Sequence, residues 1–143
     1  MKRAFSTPLV ILAIGLLIVL SSCNSGGSSS AGPRQWTYMV YMGADNNLSD
    51  GGLYNLNDME TVGSSDGVAI VVQAEFSPNY SPGIQSTETS RIYVQNDNNP
   101  SSPNLGTGTS IGNVDMADPA TLTAFIKWAA ATYPAQHYAL VIW

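Results

Sequence analysis

Two uncharged apolar runs limit what this chain can fold into. QWTYMVYM fills residues 35–42 and VAIVVQA fills residues 68–74. Neither run alternates cleanly between apolar and polar, and the second is mostly β-branched. Each therefore reads as a strand buried on both faces, as in a parallel sheet. Between them, LSDGGLYNLNDMETVG places Leu53, Leu56 and Met59 at helical spacing. Asn46 or Asn47 can cap this helix, Asp50 lies in its first turn, and its end is expected near Gly63. Gly51 and Gly52 each weaken the first turn by about 1 kcal/mol relative to Ala, so the helix needs packing to form. Strand, helix and strand over residues 35–74 make a βαβ unit with a right-handed crossover.

Residues 75–112 change character. SPNYSPGIQSTE reads as a loop, residues 89–95 (TSRIYVQ) as a short antiparallel strand, and NDNNPSSPNLGTGTSIG as turn-rich chain. So long an irregular stretch is uncommon in a compact domain. Asp118-Pro119 opens a second helix, with aspartate as N-cap and proline at the first helical position. Leu122, Phe125, Ile126 and Ala129 form its apolar stripe, and Pro134 ends it. YALVIW, residues 138–143, is the next core strand. The pattern predicts an open, mostly parallel α/β sandwich with one exposed sheet edge. The last strand is expected to show apolar surface and to promote aggregation through that edge.

The amino terminus follows a different logic. Met1, Lys2 and Arg3 precede an apolar run over residues 8–20, closed by Ser21-Ser22-Cys23. The run is short for a membrane span and reads as a secretion signal. Leu20-Ser21-Ser22-Cys23 resembles the lipobox of bacterial lipoproteins. That resemblance implies cleavage before Cys23, diacylglycerol on its thiol, and a place in the bacterial cell envelope. Asn24 in the following position favours the outer membrane or cell surface. The acyl chains, at roughly 0.8 kcal/mol per buried CH₂, would anchor the chain stably. NSGGSSSAGP then reads as a tether. The expected organisation is a signal over residues 1–22, an acylated cysteine and tether over 23–33, and one domain over 34–143.

Without residues 1–22, three cations (Arg34, Arg91 and Lys127) face ten acidic residues, a net charge of about −7. This argues against nucleic acid and against electrostatic adhesion to anionic lipid.

Ligands of open α/β sheets sit beyond the carboxyl ends of the strands. That rule points to residues 43–47, to Glu75 with its following loop, and to whatever succeeds Trp143. Asp45 is the candidate at this edge. It either orients an active-site or substrate group, or is a turn aspartate bonding its own backbone. Asp45, Asp50, Asp58, Glu60, Asp115 and Asp118 could offer oxygens to calcium, but no EF-hand spacing is present. One histidine and one cysteine make zinc improbable. No GxGxxG follows the first strand, no GxxxxGK[ST] occurs, and GTGTSIG at residues 106–112 reads as loop. His137 precedes the last strand, opposite the expected site, and reads as a surface histidine.

Three blocks carry a resemblance. WTYMVYMGADNNLSD, LNDMETVGSSDGVAIVVQAEF and PAQHYALVIW are similar, in that order, to segments of the clostripain-like cysteine peptidases. The resemblance implies a caspase-like α/β/α sandwich, of which this chain is an amino-terminal part. It implies peptide or protein substrates, a His/Cys dyad and a basic residue before the scissile bond. Calcium dependence occurs in some relatives and cannot be assigned to residues here. The family's catalytic histidine follows this last strand in an Asp-His-Gly segment, and its cysteine ends a later strand. His137 matches a position before the strand, and Cys23 matches the lipid anchor. Cysteine catalysis needs a thiolate and a base within roughly 2.6–3.2 Å. The chain is therefore expected to be inactive by itself, as part of an enzyme whose carboxy-terminal portion completes the domain. The alternative is a non-catalytic surface lipoprotein that uses the fold for binding.

Overall fold

The computed structural model describes residues 33–143. The signal and tether expected over residues 1–22 and 23–33, and Cys23 within them, lie outside the described residues except for Pro33. β1 (Arg34–Ala44) leads into α1 (Ser49–Glu60) and β2 (Val68–Phe76). β3 (Ser90–Tyr93), a 3₁₀ turn (Leu105–Thr107) and β4 (Thr109–Ser110) follow. α2 (Pro119–Thr132) and β5 (Ala135–Ile142) complete the order. The five strands form one sheet in the order β4-β3-β2-β1-β5. β1 is parallel to both β2 and β5, while β3 pairs antiparallel with β2 and β4 antiparallel with β3.

The alternation along β1 sets the layers. Val40, Met42 and Ala44 face one way and join Val72, Ala74, Phe76 and Ile92 beneath Leu56 of α1. Met39 and Tyr41 face the other way and join Val71 beneath Phe125 and Ala129 of α2. Successive strand residues point to opposite faces, so one helix covers each side and the sandwich has three layers. Full burial of a side chain such as Leu56 or Phe125 contributes about 1.5–3 kcal/mol. A hydrogen bond of 2.7 Å from the Thr37 hydroxyl to the Tyr133 carbonyl ties the end of α2 to β1.

Several local expectations change. Neither Asn46 nor Asn47 caps α1, because Leu48 is its N-cap residue and makes no side-chain cap bond. Asn46 instead folds the turn: its amide donates to the Gly43 carbonyl at 2.9 Å, and its side-chain oxygen accepts from the Leu48 N–H at 2.8 Å. His137 lies inside β5, opposite Trp36, and not before the strand. Residues 106–112 are not loop throughout. They hold the end of the 3₁₀ turn and the two-residue β4, which pairs with Ser90 and Arg91. A strand that short has no periodicity to read.

β5 is an edge strand with apolar side chains in solvent. Tyr138, Leu140, Val141 and Ile142 are between 43% and 61% exposed. α2, in contrast, begins as its sequence suggests, with the Asp118 carboxylate accepting from the Ala120 N–H at 2.8 Å.

The two glycines of the first helical turn do different jobs. A Cβ on Gly52 would lie 3.1 Å from Ala44 Cβ, 3.1 Å from Phe76 Cε1 and 3.2 Å from Met42 Sδ. Gly52 thus lets α1 settle against the sheet, whereas a Cβ on Gly51 meets nothing within 4 Å. Gly51→Ala should stabilise the domain by about 0.4–1 kcal/mol. Gly52→Ala should destabilise it, since overpacking costs about 1–3 kcal/mol against the same propensity gain. Urea denaturation of the two variants checks the opposite signs.

Candidate active-site edge

The carboxyl ends of β1, β2 and β5 lie side by side, since the three strands are parallel neighbours. The crossover from β1 runs through α1 on one face to β2. β5, on the other side of β1, is reached through α2 on the opposite face. The gap between the ends of β1 and β5 is therefore the topological switch point, where an open α/β sheet receives its ligand.

A crevice of about 330 Å³ occupies this place, lined by Gly43, Asn46, Leu48 and Trp143. Trp143 extends the ladder, its N–H donating to the Tyr41 carbonyl at 3.0 Å. Its indole Nε1 donates to Asn55 Oδ1 of α1 at 2.9 Å, which fixes the wall of the crevice. A slightly larger hollow, about 360 Å³, lies over β2 and β3 among Phe76, Ile84, Glu88, Ile92 and Leu105. Its Glu88 carboxylate is engaged by the Ser110 hydroxyl at 2.5 Å. Position favours the smaller crevice, because only it sits where the sheet's connections diverge.

The same carboxyl edge of the sheet is acidic on its α2 side. Asp45 is exposed just past β1, and the turn there is tied by Asn46 rather than by Asp45. Glu75, near the end of β2, is pushed above the ordinary carboxylate range by burial first and then by the charges of Asp45 and Asp115. Tyr41 is also raised, by burial and then by Asp115, Asp118 and Glu75, while its hydroxyl donates to the Met116 carbonyl at 3.0 Å. Asp45 was legible from its place after a strand. Glu75 was legible by the same rule, and Asp115 only as one carboxylate among several. Nothing local in the sequence shows that the segment before α2 returns to the carboxyl edge.

The remaining carboxylates have structural duties. Asp50 accepts from the Ser81 hydroxyl at 2.6 Å. Asp115 accepts from the Ala117 N–H at 2.8 Å, and Asp118 caps α2. Asp58 is exposed on α1. Glu60 is buried, and its two oxygens accept from the Asn104 N–H at 2.9 and 3.1 Å, pinning the long loop to α1. Among the described residues no three His, Cys, Asp or Glu side chains are grouped to hold a metal ion. The donor set does not fit a calcium cage, so no calcium step is assigned.

His137 is exposed, and its ring centroid lies 4.8 Å from that of Trp36. It pairs near the amino-terminal end of β1, away from the crevice.

Burial also raises Glu60, opposed by the Asn104 N–H and reinforced by Asp97. A carboxyl raised in the folded state holds its proton more tightly there than in the unfolded chain. Glu60 and Glu75 thus contribute stability that is fully present below pH 4.5 and lost as pH rises through their folded values. The melting temperature should fall as pH rises from about 4.5 toward neutrality, and Glu75→Gln should flatten the slope. Thermal unfolding followed by circular dichroism across this range tests the sign. A melting temperature that rises with pH and is untouched by the substitution would contradict it.

The clostripain family model matches residues 40–143, which includes the last five residues of β1 and everything after it. Two solved structures are similar to the chain. A cysteine protease from B. fragilis has a TM-score of 0.54 and 19% identity, with 76% of this chain and 86% of that chain covered. A clostripain from Bacteroides thetaiotaomicron ATCC 29148, solved in complex with a peptide inhibitor, has a TM-score of 0.49 and 16% identity, with 78% and 90% covered. No curated protein sequence matches the chain. The first structure supports the fold alone, a mixed α/β sandwich of the caspase-like kind, and the family rests on the model match across the sheet and both helices. The chain belongs to the clostripain family of cysteine peptidases.

Proposed function

We propose that this chain is the amino-terminal portion of a lipid-anchored cysteine endopeptidase that cuts peptides after Arg or Lys. The observation that carries the specificity is the acidic group of Asp45, Glu75 and Asp115 at the carboxyl edge of β1 and β2. A cationic side chain brought there would offset the negative charges that, after burial, raise Glu75. In this reading Asp45 helps to attract the basic residue and does not take part in the chemistry.

The dyad is placed in sequence following Trp143. His137 is at the wrong end of the sheet, and the one cysteine, Cys23, is assigned to lipid. Residues 1–143 by themselves then bind without cutting. The envelope location rests on the lipobox-like Leu20-Ser21-Ser22-Cys23, with attachment through acyl chains and not through a basic face.

The test has two arms. The reading frame following residue 143 is sequenced and its full product expressed. It should release a fluorophore from peptides with Arg or Lys before the cut, and lose that activity on thiol alkylation. Activity that survives alkylation, or a preference for acidic or apolar residues, would overturn the reading. In the second arm, incorporation of a labelled fatty acid should disappear in Cys23→Ala. Equal labelling of the variant would remove the anchor.

A further inference from the structure

The described residues contain only three cations, and all three lie inside hydrogen-bonded elements. Arg34 begins β1, Arg91 lies in β3 and Lys127 lies in α2. The segments 45–48, 61–67, 77–89 and 111–118 contain no Lys or Arg, and neither does the chain from 94 to 104. These segments hold most of the irregular chain, where proteolytic nicking concentrates.

We propose that the domain is built to withstand peptidases that cut after Arg or Lys, because each such bond is locked in the sheet or a helix while the loops offer none. The bond after Arg34 has its N–H, that of Gln35, donating to the Gly67 carbonyl at 2.8 Å. Arg34 itself pairs with Ala135, and its guanidinium lies 5.9 Å from the Tyr133 ring centroid. Arg91 is held between two strands, opposite Gln73 and Thr109. Its Nε donates to Gln73 Oε1 at 2.9 Å, and its guanidinium lies 4.8 Å from the Trp128 ring centroid. A peptidase subsite that reads the guanidinium must first pull it from this pocket. Lys127 exposes its side chain, but its peptide bond is in the interior of a 14-residue helix. A peptidase that takes its substrate as an extended strand must unwind that helix first.

Cutting at any of the three sites therefore waits on local or global opening, and its rate follows the small open population. The resistance is a property of this fold. Its biological meaning rests on the Arg/Lys specificity proposed above: the domain would survive beside its own activity.

Limited digestion of the native chain with trypsin, followed by mass spectrometry, tests the proposal without using the chain's own activity. Trypsin should leave the bonds after Arg34, Arg91 and Lys127 intact while thermolysin nicks the loops. Gln85→Lys and Asn98→Lys, at exposed loop positions, should each be cut at the new lysine about tenfold faster or more than the native bonds. Two variants are used so that one misfolded protein, identified by circular dichroism, does not decide the result. A difference below about tenfold in the folded variants overturns the proposal, whether the native bonds are cut readily or the new lysines are spared. A failure here leaves the specificity of the complete enzyme to be judged by its peptide substrates.

Discussion

Gly63→Ala should lower the unfolding free energy by about 3 kcal/mol or more, a large part of a small domain's stability. Gly63 has φ of 66°, in the left-handed region that costs a residue with a Cβ about 1–2 kcal/mol. The larger cost is steric. An added Cβ would lie 2.2 Å from Asn96 N, 2.6 Å from Asn96 Cα and 2.8 Å from Gln95 C. All three are backbone atoms, so no side-chain rotation relieves the clash. The chain after β3 would have to retreat, and with it the bonds from Ser64 N–H to the Val94 carbonyl and from Asp97 N–H to the Glu60 carbonyl, both 2.8 Å. Gly112 is the control. Its φ is 76°, but a Cβ there meets nothing within 4 Å, so Gly112→Ala should cost only about 1–2 kcal/mol. Chemical denaturation of both variants reads the difference, and equal losses would show that the contact with Asn96 carries no weight.

Phe125→Ala should cost about 3–5 kcal/mol, and Phe125→Leu much less. Phe125 is fully buried in α2 and is among the largest side chains so enclosed. Its ring centroid lies 5.8 Å from that of Tyr41 and 6.0 Å from that of Trp128. Truncation would open a cavity between α2 and β1 and remove the packing that holds the Tyr41 ring. Alanine is a good helix former, so the loss would report packing and not helix propensity. Urea unfolding measures it. A loss below about 1.5 kcal/mol would mean that the α2 layer collapses into the gap.

Much of the sandwich was legible in the sequence. The uncharged runs gave β1 and β2, and the stripe of Leu122, Phe125, Ile126 and Ala129 gave α2, because burial on a regular element leaves a period. The start of α1 was misread because Asn46 was assigned a cap when its side chain ties the preceding turn. Both arrangements place an asparagine before a helix, and only the backbone of Leu48 decides between them. The value of Gly52 was hidden for a related reason: its local cost is visible, but the approach of Ala44, Met42 and Phe76 is not. At the candidate site, Asp45 could be placed from the strand-end rule. The joining of Glu75 and Asp115 to it depends on the path of residues 94–118, where turn residues specify bends without their direction.

The direction of β1 has one more consequence. Arg34 and Asp45 lie at opposite ends of the same strand, and ten residue steps of about 3.3 Å separate Arg34 from Ala44, roughly 33 Å. Whatever precedes Arg34 enters the domain at the pole away from the crevice. β1 thus acts as a spacer that sets the point where the chain enters the domain apart from the acidic pole by the full length of the sheet.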